Sequence, residues 1–442
     1  MVRQEVKLAH GLTQESGKTF IILPIRIDFE GELPYDLGAY LDPINYTIWK
    51  EGEDFVITSR RILAAIKQSV ELPDSGKIER GDASISGIRG LANVTESVGA
   101  PLPSADHRIM LETGTVKLNS PFYIERRADS QLVKQVNAEG TTTIVKGVRQ
   151  MGKSSLLARA YSTALGRNSK AFYLDFQLID AQPLESLDTL LRYLARKMAK
   201  AFSTSTKPDA CWDSSLGAKD NLTEYIEDAI LAESESMVNL LFDEVDLLFG
   251  QPYRDQFFAT IRGWHNLRAT REIWDQLNIV IAHSTEPYLW IQNINQSPFN
   301  VGLSIRLDDF SYDEVRELNG RYGGQQRGEE EIKQLMSLLG GHPYLLRQAL
   351  FTLASNNISV QELRSIATSE TGPFSDHLRQ YVWSIQHNKG LRGVLQNILR
   401  HNACDDEADF QKLKAAGLIK GDTRHSLQMR CQLYSEYFHK HL

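Results

Sequence analysis

The clearest chemistry in the sequence lies in residues 147–155, which read Gly-Val-Arg-Gln-Met-Gly-Lys-Ser-Ser. Their spacing fits G-x-x-x-x-G-K-[ST], a loop whose glycines let free backbone N–H groups surround phosphate groups. Lys153 would reach the β- and γ-phosphates of a nucleotide, and the Ser154 hydroxyl would bind Mg²⁺. The residues predicted to bind ATP or ADP in this loop are Gly147, Gly152, Lys153, Ser154 and Ser155.

A second stretch supplies the carboxylates that hydrolysis of a nucleotide requires. Residues 238–242 are mostly apolar and run into Asp243 and Glu244, so a buried strand would carry both acids to the edge of a sheet. Asp243 would hold Mg²⁺ through water, and Glu244 would polarise the attacking water as a general base. We expect Asp246 to cap or pair at the surface. The predicted catalytic residues are Glu244 and Lys153, and the predicted magnesium ligands are Ser154 and Asp243.

These side chains require a parallel sheet that brings them to one edge. β-Branched residues at 141–145 predict a buried strand before the loop, and residues 155–161 predict a helix after it. Further strands are predicted at residues 171–176, 238–243, 277–285 and 301–307.

The strand at 277–285 ends in polar residues beside this edge. In ATPases with an extra strand between the two nucleotide-binding strands, such an end senses the γ-phosphate, and Ser284 or Thr285 would do so by hydrogen bonding. Ordinary capping of the strand end is an equal alternative. Arg262, Arg268 and Arg271 precede this strand. One of them would serve as an arginine finger across a subunit contact, although solvated positions on a helix are the more common role.

Two flanking segments predict the position of the base. Residues 120–127 place hydrophobic side chains before arginines, so Tyr123, Ile124 and Arg126 would line a base pocket; a core strand that ends in solvated arginines is an equal alternative. Residues 338–346 read Leu-Leu-Gly-Gly-His-Pro-Tyr-Leu-Leu, in which the glycines end one helix and the proline begins the next.

Residues 113–442 resemble the AAA-like STAND family, the signal-transducing ATPases of bacteria. The phosphate loop, the Asp243-Glu244 strand and the Gly-Gly-His-Pro joint carry this resemblance. It implies that Pro343, with His342 beside it, approaches the adenine and links the nucleotide to the angle between domains. It also implies a switch, in which ADP holds a closed monomer, ATP favours an open form that assembles, and slow hydrolysis resets the protein.

The last part of the chain, from about residue 390, predicts a winged helix. Helices are expected at residues 391–399, 406–416 and 433–439, with a strand at 417–420. DNA-reading winged helices carry basic residues where the second helix begins, whereas this chain carries acids there. Because like charges repel phosphate, we expect a regulatory domain that packs on the nucleotide and does not read DNA. The acids are Asp405, Asp406, Glu407 and Asp409.

Residues 1–75 resemble the C-terminal half of a TIR domain. Residues 1–6 resemble its W-V-x-x-E-[IL] helix, residues 20–27 the following strand, and residues 33–49 a loop of bacterial TIR proteins fused to ATPases. In the enzymatic members of that family, the glutamate at the Glu5 position cleaves NAD. The first half of a TIR domain has no counterpart here, so we expect a truncated start or a non-catalytic remnant, with Glu5 as a solvated carboxylate that the helix dipole favours.

The composition of the 442 residues is that of an ordinary globular protein, with 42% hydrophobic and 24% charged residues. The net charge of −7 argues against broad binding to nucleic acid. Three dispersed cysteines predict neither a disulfide framework nor a zinc site and favour a reducing compartment. No apolar run has the length of a membrane span or the flanks of a signal peptide, so we expect a cytoplasmic protein that does not contact membranes.

The predicted fold is therefore α/β, a P-loop NTPase parallel sheet with a helical lid and a C-terminal winged helix, preceded by a small partial α/β TIR-like segment. We expect an ATP-binding, slowly hydrolysing signalling switch that self-associates with ATP and responds to a protein trigger or effector, in bacterial defence or signalling. The alternatives are a DNA-handling ATPase of the origin or transposition type and an NAD-cleaving enzyme that acts through Glu5. The predicted boundaries are 1–75 for the TIR-like segment, 76–112 for a linker, 113–300 for the ATPase domain, 301–388 for the lid and 389–442 for the winged helix.

Overall fold

The chain divides into two units, Met1–Val94 and Thr95–Leu442. In the first unit two short parallel strands are described, β1 at Ile25–Ile27 and β2 at Thr47–Trp49. Glu5 and the rest of the predicted TIR-like segment lie outside the described residues, as does almost all of the predicted linker. The computed structural model describes residues 25–27, 47–49, 111, 114–284, 298–324, 327–386 and 389–442.

The second unit contains a sheet of five parallel strands, as the sequence predicted. The strands are β3 Thr142–Lys146, β4 Lys170–Asp175, β5 Val238–Asp243, β6 Leu277–His283 and β7 Leu303–Arg306. Their order across the sheet is β4, β5, β6, β3, β7, so β6 lies between the strand before the phosphate loop and the strand that ends in Asp243. β5 and β6 are buried along their whole length because helices cover both faces.

The helices around the sheet pack on its two faces. They are α1 Arg127–Val136, α2 Lys153–Gly166, α3 Leu187–Phe202, α4 Pro208–Cys211, α5 Ala218–Tyr225 and α6 Arg254–Leu267. α1 and α2 pack on one face of the sheet, against residues such as Val145 and Leu241. α3 and α6 pack on the other face, against Phe172 and Leu240. This alternation follows from the period of two along each strand.

Short irregular helices complete this part of the chain. A π-helical turn at Ile226–Leu231 extends α5. The 3₁₀ turns among the described residues of this part are Phe176–Leu178, Gln182–Leu184, Val245–Gly250, Glu272–Gln276 and Pro298–Asn300. The turns after β4 and β5 matter most for function because they leave the carboxyl edge of the sheet.

A helical segment follows the sheet. It consists of α7 Tyr312–Arg321, α8 Glu329–Leu339, α9 Pro343–Asn356, α10 Val360–Ile366 and α11 Ser375–Gln386. Ser311 caps α7, since its hydroxyl accepts from the Glu314 N–H at 3.3 Å. Gly340 ends α8 with a φ of +68°, and Pro343 begins α9, as the sequence predicted.

The end of the chain has the order helix, helix, antiparallel hairpin, helix. Its elements are α12 Lys389–His401, α13 Glu407–Ala415, β8 Ile419–Thr423, β9 Ser426–Met429 and α14 Gln432–His441. The second strand of the hairpin was not foreseen from the sequence. Buried residues on both sides of the predicted boundary at residue 388, such as Leu338 and Phe410, belong to one hydrophobic cluster. Among the described residues, no helix is both long enough and apolar enough to span a membrane.

Candidate functional site

The predicted phosphate loop lies between β3 and α2, at the carboxyl edge of the sheet. Gly152 has a φ of +92°, a left-handed conformation that favours glycine, and it stands directly before the first turn of α2. A Cβ atom on Gly147 would lie 3.1 Å from Leu307 at the end of β7. The path of the backbone therefore favours glycine at 152 and leaves little room for a side chain at 147. This path leaves the N-terminus of α2 open toward a bound anion.

Lys153 lies inside this loop with only 4% of its surface exposed. Its ammonium donates to the carbonyl oxygens of Gly147 and Val148 at 3.2 and 3.3 Å and to Ser284 Oγ at 2.6 Å. Burial lowers the pKa of Lys153, although the carboxylates nearby oppose this effect. A buried ammonium held by neutral oxygens gains a stronger partner when a phosphate enters the loop.

Asp243 and Glu244 end β5 beside the loop, as predicted. Asp243 is fully buried, and its two oxygens accept from the Glu244 N–H at 3.0 Å and from the Tyr173 hydroxyl at 2.7 Å. Glu244 has a φ of +53°, a conformation that costs a non-glycine residue roughly 1–2 kcal/mol and recurs at active sites.

The environment of Glu244 suits a general base. Burial raises the pKa of the Glu244 carboxyl, the Lys153 ammonium lowers it, and the neighbouring Asp243 raises it further. The Gln177 side-chain amide donates to Glu244 Oε2 at 3.3 Å. A carboxylate whose pKa is raised holds a proton more readily than a solvated one, and this is the property that proton transfer from water requires.

The residues predicted to hold magnesium offer donors that this ion accepts. Ser154 contributes a hydroxyl and Asp243 a carboxylate, both hard oxygen ligands. Within the described part of the chain, no group of three or more His, Cys, Asp and Glu side chains is arranged to hold a metal ion. A small donor set of this kind fits Mg²⁺, which keeps several waters and takes further ligands from nucleotide phosphates.

The end of β6 is tied to the same site. The Ser284 N–H donates to Asp246 Oδ2 at 2.8 Å, while the Ser284 hydroxyl contacts Lys153. Asp246 does pair, but it pairs with the neighbouring strand inside the site and not at the surface as expected. Thr285, the other predicted sensor, lies outside the described residues.

Ser155 has a structural bond in addition to its place in the loop. Its side chain is buried, and its hydroxyl accepts from the Val116 N–H at 2.9 Å. This bond holds the segment before α1 against α2. We therefore expect Ser155 to meet a phosphate through its backbone N–H.

A cavity of about 930 Å³ opens over the loop and reaches the helical segment. It has the size of an ordinary small-molecule site. Gly147 borders a second cavity of about 380 Å³, and the fully buried Asp243 is not among the described residues that line either cavity. The predicted residues that line the larger cavity are Tyr123, Ile124, Arg126, Gly152, Lys153, Ser154, Ser155, Glu244, Ser284 and Pro343.

The predicted base pocket is bounded by an irregular segment and not by the core strand proposed as its alternative. The Tyr123 hydroxyl bonds Asp129 of α1, and the Arg159 guanidinium lies 3.6 Å from the centre of the Tyr123 ring. Arg126 donates to the Met151 carbonyl oxygen at 2.9 Å, which places its guanidinium against the loop. His342, by contrast, is buried with 1% exposure, and the cavity lining among the described residues does not include it.

Several cavity residues were not foreseen from the sequence. Arg347 lies one helical turn after Pro343 on the same face of α9, and this spacing was a signal that could have found it. Arg149 lines the cavity as part of the predicted loop itself, although no role was assigned to it, whereas only long-range packing brings Tyr381 of α11 there.

The terminal hairpin packs directly on the loop. Arg430, which follows β9, pairs with Asp309 after β7, and its guanidinium lies 3.4 Å from Met151 Sδ. Lys420 of β8 pairs with the same aspartate. A Cβ atom on Gly417 would lie 3.0 Å from the Val148 side chain. The hairpin and the residues that flank it are therefore in contact with the phosphate loop and with the segment after β7.

The three arginines considered as fingers lie elsewhere. Arg268 reaches the amino edge of the sheet, where it donates to the carbonyl oxygens of Thr141 and Leu277 at 2.9 and 2.8 Å. Burial lowers the pKa of Arg268 to about 10. The finger hypothesis is wrong for this residue, because its guanidinium joins β3 to β6. The other two arginines also have partners away from the site: Arg262 donates to the exposed Asn300, and Arg271 pairs with the half-buried Glu227.

Most of the second unit matches a known protein family. Residues 111–440 match the sequence profile of a family described as AAA-like domain. An uncharacterized WD repeat-containing protein of Synechocystis is 26% identical over 341 residues, which cover 70% of this chain and 28% of that protein. The chain thus spans little more than a quarter of the length of this curated relative.

Solved structures with a similar arrangement share little sequence with this chain. The Walker-type ATPase PABY2304 of Pyrococcus abyssi is 16% identical, with a TM-score of 0.49 over 75% of this chain and 99% of that chain. The ORC2 protein of Aeropyrum pernix, in ADPNP–ADP complexes, is 13% identical, with a TM-score of 0.41 over 72% and 95% of the two chains. RuvB of Thermotoga maritima is 12% identical, with a TM-score of 0.37 over 69% and 92%.

Proposed function

This chain belongs to the AAA-like domain family, and from that premise we propose that it is a Mg²⁺-dependent ATPase that works as a nucleotide-controlled switch. The loop N–H groups and Lys153 bind the phosphates, and Ser154 with Asp243 holds the metal site. Bound Mg²⁺ supplies positive charge against the phosphate oxygens. The segment with Tyr123 and Arg126 and the start of α9 at Pro343 receive the base.

Hydrolysis in this proposal is carried out by Glu244. Its carboxylate orients water and takes a proton as the water oxygen bonds to the γ-phosphorus and the bond to the bridging oxygen breaks. Lys153 stabilises the charge that develops on the phosphate. Ser284, bonded to Lys153, lies where it would register the presence of the γ-phosphate.

The switch rests on one observation, the contact between the terminal hairpin and the phosphate loop. Arg430 joins the loop residue Met151 to Asp309, and Tyr381 lines the same cavity as Lys153. A nucleotide in this cavity would contact both the phosphate loop and the helices α11 and α13. It would therefore contribute different free energies to the closed and separated arrangements of these parts. We interpret the terminal part as a winged helix of the STAND type in its closed position.

In this proposal ATP favours an open form that self-associates and acts on a protein effector, with a protein as trigger. The resemblance of residues 1–75 to a TIR domain supports a role in bacterial signalling or defence. The exposed acids at the start of α13 disfavour DNA as a ligand: Asp406 caps this helix by accepting from the Asp409 N–H at 2.9 Å.

Mass photometry of the full chain with ADP and with ATP tests this function. We expect monomers with ADP, larger assemblies with ATP, and loss of the ATP effect in Lys153→Ala. Lys197→Ala, at an exposed position on α3, is the matched control and should assemble like the parent. Normal assembly of Lys153→Ala with ATP would overturn the proposal, and a salt-sensitive affinity for DNA would favour the DNA-handling alternative.

A further inference from the structure

We propose that Tyr173 is a positioning residue of the magnesium site, in that its hydroxyl fixes the orientation of the Asp243 carboxylate. This inference rests on the proposed ATPase function. The hydroxyl donates to Asp243 Oδ2 at 2.7 Å, from the strand next to the one that carries the aspartate. Neither the phosphate-loop motif nor the acidic motif includes this tyrosine.

The register of the sheet places Tyr173 on the correct face. β4 and β5 run parallel, with Tyr173 opposite Leu241 and Asp175 opposite Asp243. Alternate residues of a strand share a face, so Tyr173 and Asp243 both point toward the side covered by α2. The phenol ring therefore lies along the sheet, and its hydroxyl reaches the carboxyl edge where Asp243 ends β5.

The Tyr173 ring is itself supported by α2. It meets the Tyr161 ring edge-on, with the ring centres 6.2 Å apart and the planes at 61°. Such an arrangement is favourable for two aromatic side chains. α2 begins in the phosphate loop, so the tyrosine is held between the helix that receives the phosphates and the strand beside the metal carboxylate.

The bond from Tyr173 completes the restraint on Asp243. The other oxygen, Oδ1, already accepts from the Glu244 N–H at 3.0 Å, and the whole side chain is buried. With both oxygens held, the carboxylate cannot rotate, and its remaining lone pairs have fixed directions. Because a phenol is a neutral donor, it fixes the carboxylate without cancelling the charge that attracts a metal ion. Partners of metal ligands commonly act in this way.

The test compares Tyr173→Phe with Tyr161→Phe, which removes a hydroxyl from the packed partner ring and leaves Asp243 untouched. Binding of a fluorescent ATP analogue in EDTA measures the phosphate loop alone. A Mn²⁺ titration followed by electron paramagnetic resonance, with a non-hydrolysable ATP analogue bound, then measures the metal site without turnover. We expect Tyr173→Phe to bind Mn²⁺ about 10-fold more weakly and to require correspondingly more Mg²⁺ for half-maximal ATPase activity.

Nucleotide binding in EDTA and kcat at saturating Mg²⁺ should remain at the parental level in Tyr173→Phe, and every property of Tyr161→Phe should match the parent. Unchanged Mn²⁺ affinity in Tyr173→Phe would overturn this inference alone. The inference would also be overturned if Tyr173→Phe bound nucleotide more weakly in EDTA, or if Tyr161→Phe lowered the Mn²⁺ affinity equally. Either result would show that Tyr173 has a general packing role. Absence of nucleotide binding by the parent would instead overturn the proposed function and the inference with it.

Discussion

Replacing Asp309 by asparagine should loosen the contact between the terminal hairpin and the phosphate loop. Asp309 accepts from both Arg430 and Lys420, and the Arg430 side chain is only 8% exposed. Without the carboxylate charge, the two cations on the hairpin side of the interface lose their shared anion. The closed arrangement therefore loses stability relative to the open one.

The free energy that these ion pairs contribute to the closed arrangement follows from the exposure of their side chains. Breaking a fully buried ion pair costs about 3–5 kcal/mol, whereas an exposed pair contributes about 0–1 kcal/mol. Asp309 is 20% and Lys420 35% exposed, so the network lies between these limits. A value of about 2 kcal/mol corresponds to roughly a 30-fold change in an equilibrium. If the hairpin must open for nucleotide to leave, ADP should dissociate up to roughly 30-fold faster.

Stopped-flow release of a fluorescent ADP measures this effect directly. Asp308→Asn is the matched control, because the adjacent aspartate pairs with Arg306 where both side chains are more than half exposed. That exposed pair should contribute at most about 1 kcal/mol, so release from the control should change little. Equal release rates for Asp309→Asn and Asp308→Asn would refute the claim that this ion-pair network holds the loop closed.

Three further substitutions test the hydrolysis step, the contact between the hairpin and the loop, and the stability of the sheet. Glu244→Gln should lower the rate of phosphate release by about 10²- to 10⁴-fold with unchanged nucleotide affinity. Gly417→Ala should lower the free energy of unfolding in urea by about 1–3 kcal/mol, because φ at this position is +77° and the new methyl group meets the Val148 side chain of the loop. Gly263→Ala in α6, where a methyl group has open space, should not lower it. Arg268→Met should lose about 2–4 kcal/mol of unfolding free energy with normal turnover per folded molecule. Arg262→Met, which removes a bond to the exposed Asn300, should change neither.

The parts of the site that the sequence predicted are those that local spacing determines. The loop glycines, Lys153 and the acids after β5 stand in short motifs, and each motif includes the strand that carries it. Pro343 begins a helix after Gly340, as predicted, and it lines the cavity, while its contact with the adenine stays a prediction.

The parts that were missed depend on contacts between distant residues. Arg268 resembled its neighbours on a helix, yet it bonds to the Thr141 carbonyl oxygen, 127 positions away. Arg430 meets Met151 across 279 positions, and no local pattern marks it. Asp246 was expected at the surface because nothing near it in sequence reveals that β6 ends beside it. β9 was missed because four residues alternate too briefly to identify a strand.

The strand order also determines when the central sheet can form during translation. β3, which leads into the phosphate loop, has β6 and β7 as its sheet partners, and the Thr141 N–H donates to Asn278, 137 positions later. At about 5–20 residues per second, translation needs roughly 10–30 s to deliver that partner. During this interval the edges of β3 lack their final neighbours, so the nascent loop cannot yet be rigid enough to capture a nucleotide. ATP can stabilise this protein only after most of its central sheet has been synthesised.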